Sequence, residues 1–374
     1  VSTRSDQVRP QHSADSNGLV VAVTGAATGV GRILVERLMS AVGSGDIAQV
    51  VAIDENRGDL DGPVWRVVDV CDPRLADRLD GVDVVVHTAD DRSLETAPRR
   101  RRTHNTLSAR TVLTAAAAQR VPRAILVTST MVYGADPANA VPLPEDAPLV
   151  PESGAGLVSD FTEIEDLAAL ARRAHPGLSV TVVRPAPLVG PGLDTLLTRH
   201  FAAPRLLTVK GSAQEWQFCH VEDLADALRF VVVHRLDGKD GAVAVGCAGS
   251  LAQADAEEIA GLRSFEVPAN LAFGATQRLH RLGITPAPAG ELKFLVYPCV
   301  VDCATLREAG WRPSFDNEAA LGALLESRTG RHALVGRNVG RKEVTVTAAS
   351  AAGAAVAAIG TAATVRYLRK RRKG

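Results

Sequence analysis

The sequence predicts a doubly wound parallel α/β sheet followed by a smaller C-terminal domain. Two observations carry this. Apolar runs rich in Val and Ile recur at 19–23, 48–53, 64–68, 82–88, 124–129 and 179–184, and they hardly alternate. Strands covered on both faces read this way. Stretches with helical periodicity lie between them, at 31–42, 72–80, 103–119 and 157–175. Repeated strand–helix units with buried strands build a parallel sheet.

The first unit carries the clearest chemistry. Residues 20–31 read VVAVTGAATGVG, and RILVERLM follows. A short apolar run thus feeds a helix through a glycine-rich turn. Backbone N–H groups left free at a helix N-terminus bind a pyrophosphate. Gly25, Gly29 and Gly31 allow the sharp turn, the approach of the phosphates and the packing of helix on sheet. Asp54 closes the next run, AQVVAID. A carboxylate at that point suits an adenosine ribose with free hydroxyls. A dinucleotide site is the expectation, and an α/β domain with an empty crevice is the bland alternative.

Composition narrows the rest. The 374 residues allow one large α/β domain and a smaller one. Lys+Arg and Asp+Glu both total 42, so no net field favours nucleic acid. The five cysteines, Cys71, Cys219, Cys247, Cys299 and Cys303, are scattered and odd in number. They argue for a reducing compartment, here the cytoplasm, and against a disulfide framework. Cys299 and Cys303 have the spacing of one helical face, but no cysteine or histidine cluster completes a metal site.

The expected organisation is a loose polar tail at 1–18, a dinucleotide-binding domain at 19–185, a substrate domain at 186–326 with some return to the sheet, and a distinct tail at 327–374. Residues 344–365 form an uncharged, alanine-rich run of 22, followed by six basic residues between 366 and 373. The length could span a bilayer. The aliphatic content is weak, and the basic residues belong on the cytoplasmic side, where the folded domain also should be. A helix lying on anionic lipid or a surface tail fits as well, so membrane-surface contact is an open expectation.

Further along, local patterns coincide in order: TGAATGVG at 24–31, Asp54, DV at 69–70, VVVHTA at 84–89, Asn105, and VTSTMVYG at 127–134. VVRPAPLVGPG at 182–192, FCHVEDLADAL at 218–228 and VDCATLREAGWRP at 301–313 follow. The chain resembles the extended branch of the short-chain dehydrogenase/reductase superfamily, the NAD-dependent epimerase/dehydratase group, over about 19–326. The resemblance implies a Rossmann-like sheet with NAD as cofactor, preferred to NADP. It places Gly25, Ala27, Thr28, Gly29, Val30 and Gly31 at the pyrophosphate turn and Asp54 at the ribose. Asp69 and Val70 would border the adenine, Thr88 and Ala89 would line the crevice, and Asn105 joins the cofactor set. Ser129 falls where the family hydrogen-bonds the reacting substrate oxygen. It also closes a strand at its carboxyl end, where ligands of such sheets bind; the bland reading is a hydroxyl tying down a loop. Dimerisation through two helices is common in the superfamily, so a homodimer is a further expectation.

The chain departs from the family at its chemical centre. The Tyr-x-x-x-Lys pair of the superfamily aligns with Gly156 and Asp160. The tyrosines are Tyr133, Tyr297 and Tyr367, and no lysine precedes Lys210. Tyr133 belongs to the MVYG turn, which is structural in the family. Asp160, Glu163, Glu165 and Asp166 offer carboxylates, but read more simply as the acidic start of an amphipathic helix. Trp216 stands where sugar-nucleotide enzymes have a diphosphate-binding arginine, with Arg199 and Arg205 as substitutes. Thr28 replaces a glycine, giving the G-x-x-x-G-x-G spacing of the single-domain branch. His87 reads as a packed strand histidine. His220, Glu222 and Asp223 read as a helix start, capped by one of the two acids. Arg99–Arg102 reads as a solvated helix start, with an anion contact near the crevice as the sharper alternative.

Three functions stay open: an NAD-dependent epimerase/dehydratase-like enzyme on a sugar nucleotide or other hydroxyl or ketone substrate with unusual proton-transfer groups; a non-catalytic dinucleotide-binding protein; and a reductase relative with an apolar, steroid- or flavonoid-type substrate. Trp216 and the apolar loop 186–193 favour the last over a sugar nucleotide.

Overall fold

The computed structural model describes residues 18–152, 156–281 and 290–335. The N-terminal tail, residues 153–155 and the alanine-rich and basic tail lie outside the described residues. Seven parallel strands form one sheet. They are β1 (Leu19–Thr24), β2 (Ile47–Asp54), β3 (Val64–Val67), β4 (Val84–His87), β5 (Arg123–Val127), β6 (Ser179–Pro185) and β7 (Ala242–Val245). Their order is β3-β2-β1-β4-β5-β6-β7. The order reverses between β1 and β4, which pair from Val21↔Val84 to Thr24↔His87. Outside the carboxyl ends of these two strands lies the crevice where such sheets bind ligands.

Helices α1 (Gly29–Met39), α2 (Pro98–Ala118) and α3 (Leu157–Ala174) follow the sheet strands. A short α4 (Leu196–Ala202) and α5 (Val221–Val233) come from the later part of the chain. α1 and α5 pack together on one face of the sheet, and α2 and α3 on the other. The inner strands therefore send alternate residues into two cores. Val21 and Val23 of β1 pack with Leu34 and Leu38 of α1. Ala22 packs with Val112 of α2 and Phe161 of α3 on the far side. This two-sided burial is why the strand sequences show so little alternation. A third core, built on Phe201, Trp216, Phe218 and Leu321, organises the later residues. Three small two-stranded sheets and the helix Asn317–Val335 surround it. That helix runs across residue 327, where the sequence suggests a change to tail.

Several local expectations need correction. The N-cap of α5 is His220 itself, whose side chain accepts from the Glu222 N–H at 3.3 Å. Asp223 instead accepts from the N–H groups of Ser314 and Phe315, tying a later loop to α5. Glu222 pairs with Arg37 on α1. The arginine run is not uniformly solvated: α2 begins at Pro98, and Arg101 is 3% exposed and paired with Asp160 at 2.9 Å. Asp160 and Glu165 are both buried, so α3 is not simply an acidic surface helix. Cys299 and Cys303 do not share a helix face, because the chain is not helical there. His87 is the packed strand histidine expected. Its Nδ1 lies 2.8 Å from Thr24 Oγ1, and burial pulls its pKa down to about 3, keeping the ring neutral.

Candidate active site

The glycine turn links β1 to α1 at the switch point. Gly25 has φ +75° and Gly29 φ +54°, values that favour glycine. The two have different surroundings. A Cβ on Gly25 would meet the backbone of Thr88 and Ala89 at 2.8–2.9 Å, whereas one on Gly29 would meet nothing within 4 Å. A Cβ on Gly31 would lie 2.0 Å from the Gly25 carbonyl oxygen. Gly31 therefore lets α1 close on its own turn, and Gly29 faces open space at the helix N-terminus.

Asp54 comes from the carboxyl end of β2. Its Oδ2 accepts from the Ala27 N–H at 3.0 Å and its Oδ1 from the Glu55 N–H at 2.8 Å. It holds the turn from the neighbouring strand. A cleft of about 610 Å3 opens here, lined by Gly25, Thr28, Gly29, Val30, Asp54, Asp69, Val70, Thr88 and Ala89. The remaining three expected cofactor residues stand behind it. Ala27 is bonded to Asp54, and Gly31 sits under the turn. Asn105 is fully buried and exchanges hydrogen bonds with the Asp91 backbone, shaping the loop after β4 instead of lining the cleft. The cradle fits a dinucleotide: open space at a helix N-terminus for the pyrophosphate and a strand-end carboxylate for the ribose.

Ser129 follows β5 and is 3% exposed. Its Oγ donates to the Pro185 carbonyl at 3.3 Å and accepts from the Met131 N–H at 3.2 Å. It lines a second cavity of about 330 Å3, with walls that include Met131, Leu157, Phe161, Leu196 and Phe294. Arg92, Leu188 and Leu193 line both this cavity and the cofactor cleft, so the two adjoin.

Neither Gly156 nor Asp160, the residues aligned with the family's proton-transfer pair, lines this cavity. Gly156 is the N-cap of α3, and Asp160 points toward α2 and Arg101. The α3 residues that open on Ser129 are Leu157 and Phe161, one position later and four residues apart. One residue is about 100° around a helix, enough to turn Asp160 away from the cavity. A cation still reaches this point from another element. The Arg92 guanidinium sits 4.9 Å from the Phe161 ring centroid, donates to the Thr128 carbonyl at 3.0 Å and pairs with Asp90. Asp90, Asp91 and Arg92 directly follow VVVHTA, so their place at a strand's carboxyl end was there to be read.

Tyr133 is structural. Its hydroxyl donates to the Glu145 carbonyl at 2.6 Å and accepts from Arg184 at 2.8 Å. Burial pushes the phenol up to about 12, against the pull of Arg184. Trp216 is buried in the third core and bonded to Gln253. It does not line the cavity, so it says nothing about the substrate, while loop 186–193 does contribute Pro187, Leu188, Gly192 and Leu193. Arg199 is paired with Asp194, and neither Arg199 nor Arg205 lines the two cavities. No group of three or more metal-ligating side chains occurs among the described residues.

Comparison with known proteins shows the family. Residues 21–246 match the NAD-dependent epimerase/dehydratase family. The chain belongs to that family. An uncharacterized protein of Mycobacterium tuberculosis is 30% identical over 316 residues, 79% of this chain and 80% of its own length. An uncharacterized protein of Mycobacterium bovis matches equally. Among solved structures, UDP-glucose 4-epimerase of Thermotoga maritima aligns with TM-score 0.61 at 18% identity, covering 84% of this chain and 99% of the other. The dTDP-glucose 4,6-dehydratase DesIV of Streptomyces venezuelae, solved with NAD, aligns with TM-score 0.62 at 20% identity, covering 84% and 98%. At these identities the alignments establish the fold. The family is NAD-dependent. No described helix is long and apolar enough to cross a membrane.

The role of Asp54 is open to a direct check. Asp54→Ala is expected to weaken NAD about 10- to 100-fold, the loss of a charged hydrogen bond, and NADP less. Calorimetric titration with both cofactors measures this. Asp54→Asn keeps an acceptor for Ala27 and separates ribose binding from turn support. Equal weakening of the two cofactors would remove Asp54 from the ribose.

Proposed function

We propose that the chain is an NAD-dependent oxidoreductase or epimerase acting at a hydroxyl- or ketone-bearing carbon of a substrate with an apolar body. The observation that carries this is the junction of the two cavities, with Ser129 in the apolar one and the cofactor turn in the other. Bound NAD supplies the redox chemistry. Gly29 and its helix N-terminus hold the pyrophosphate and Asp54 the ribose. Ser129 hydrogen-bonds the reacting oxygen, and the apolar walls exclude water and fit carbon skeletons better than sugar hydroxyls. The aligned epimerase and dehydratase are named for nucleotide sugars, which keeps a sugar nucleotide as the competing substrate class.

The absence of tyrosine and lysine from the α3 face supports a second reading, a dinucleotide-binding protein without turnover. A panel decides between them. Calorimetry is expected to show NAD binding, and NAD-saturated protein is expected to reduce the cofactor with cyclic secondary alcohols faster than with UDP-glucose. Ordinary turnover of UDP-glucose would overturn the apolar assignment. Binding of NAD with no turnover across the panel would favour the non-catalytic reading.

A further inference from the structure

We propose that Glu291 is the proton-transfer group of this chain, sharing the apolar cavity with Ser129 where the family would use a tyrosine of α3. The proposal rests on the oxidoreductase reading above. Leu157 and Phe161, the α3 residues that open on the cavity, cannot ionise. The cavity has two carboxylates, Asp194 and Glu291. Asp194 is bound to Arg199 at 2.6 Å and is 36% exposed, so it belongs to the rim. Glu291 is 4% exposed and arrives on the short turn Glu291–Leu295, far along the chain from Ser129. Its Oε1 accepts from the Leu157 N–H, the first N–H of α3. That bond anchors the carboxyl group at the helix N-terminus beside the cavity and uses one oxygen, leaving the other for a substrate hydroxyl.

The surroundings fit a carboxyl group that takes and gives back a proton. Burial pushes Glu291 up from the ordinary carboxylate range. The Leu157 N–H, Arg101 of α2 and His280 oppose the shift, and Asp160 of α3 adds to it. Asp160 is itself engaged by Arg101, so it is not a competitor for the substrate proton. In the oxidising direction, the Ser129 hydroxyl would turn from the Pro185 carbonyl to donate to the substrate oxygen. The hydroxyl proton would pass to the free Glu291 oxygen, and NAD, when bound, would supply the acceptor for the C–H hydrogen and its electron pair. Alcohol, carboxylate and oxidised cofactor become ketone, carboxylic acid and reduced cofactor. Reduction of a ketone runs the same transfers backward.

Dicyclohexylcarbodiimide tests the placement without requiring turnover. It is apolar, and it adds across the O–H of a protonated carboxylic acid to give a stable acylurea, with nothing lost. Full-length, NAD-saturated protein is treated across a pH series, and peptide mass spectrometry locates the adduct. The expected result is an adduct at Glu291 at pH values where surface carboxylates stay unlabelled, fading as pH rises and absent in Glu291→Gln. An unlabelled Glu291 in a chain that binds NAD overturns the proposal, because it needs an apolar molecule to reach a proton-holding carboxyl. Failure of NAD to bind in the same samples sinks the cofactor reading instead. Gln can still accept from the Leu157 N–H, so Glu291→Gln should unfold as the parent does. With an alcohol found active in the panel, Glu291→Gln is expected to lower kcat at least 100-fold with little change in KM, and Glu291→Asp to restore part of it. Equal loss in both variants, or a loss confined to KM, would also overturn it.

Discussion

Glu165→Ala is expected to cost about 3–5 kcal/mol of folding stability, because it leaves Arg184 buried without its partner. The pair is bidentate, with Nε to Oε1 at 2.8 Å and Nη2 to Oε2 at 2.9 Å, and both side chains are buried. It joins α3 to the carboxyl end of β6. Thr128 at the end of β5 donates to the same Glu165 oxygen at 2.9 Å, and Arg184 also donates to Tyr133. Four segments around Ser129 thus share one ion pair. Urea denaturation of the parent and variant measures the loss. Glu165→Gln keeps an acceptor for Thr128 and is expected to lose less. A change below about 1 kcal/mol in the alanine variant would mean that Arg184 finds solvent or another partner. Ser129 follows Thr128 directly, so the alanine variant is also expected to bind substrate-like alcohols less well.

The second large effect belongs to Gly31. Gly31→Val is expected to destabilise the fold by about 3 kcal/mol or more and to abolish NAD binding. The first new carbon alone would lie 2.0 Å from the Gly25 carbonyl oxygen and 2.6 Å from Thr88 Oγ1, so α1 must move off its strand. Gly29→Ala makes the contrast. Open space surrounds it, and only the left-handed backbone opposes it, at about 1–2 kcal/mol. Thermal unfolding and cofactor titration of both variants measure the difference. Equal penalties would mean that backbone conformation, and not the close approach of α1, governs the turn.

Much of this architecture is legible in the amino-acid order, for a physical reason. Strands buried on both faces carry unbroken Val and Ile runs, and six of the seven sheet strands follow those runs within about two residues. The glycine turn, Asp54 and Ser129 are legible because strand ends and turns are local. The unread parts are those that depend on side-chain direction or distant chain segments. Arg101 looks like its neighbours in a run of four arginines, yet it lies on the buried stripe of α2 with Asn105, Ser108 and Val112. Asp160 differs from Phe161 by one position, and that position separates an ion pair from the cavity wall. Trp216 keeps its place in the motif but turns into the third core. Glu291 meets Leu157 from 134 residues away, and no local pattern announces such a meeting.

The bond from Asp54 to Ala27 has a kinetic consequence. It ties the glycine turn after β1 to the end of β2 by a bond within the protein itself. The N–H groups at the start of α1 are therefore aimed before a dinucleotide arrives. Capture then requires little ordering of the loop, and its rate is governed by diffusion and by orientation of the incoming molecule. Differences in affinity among cofactors should appear in how long each one stays, not in how fast it enters.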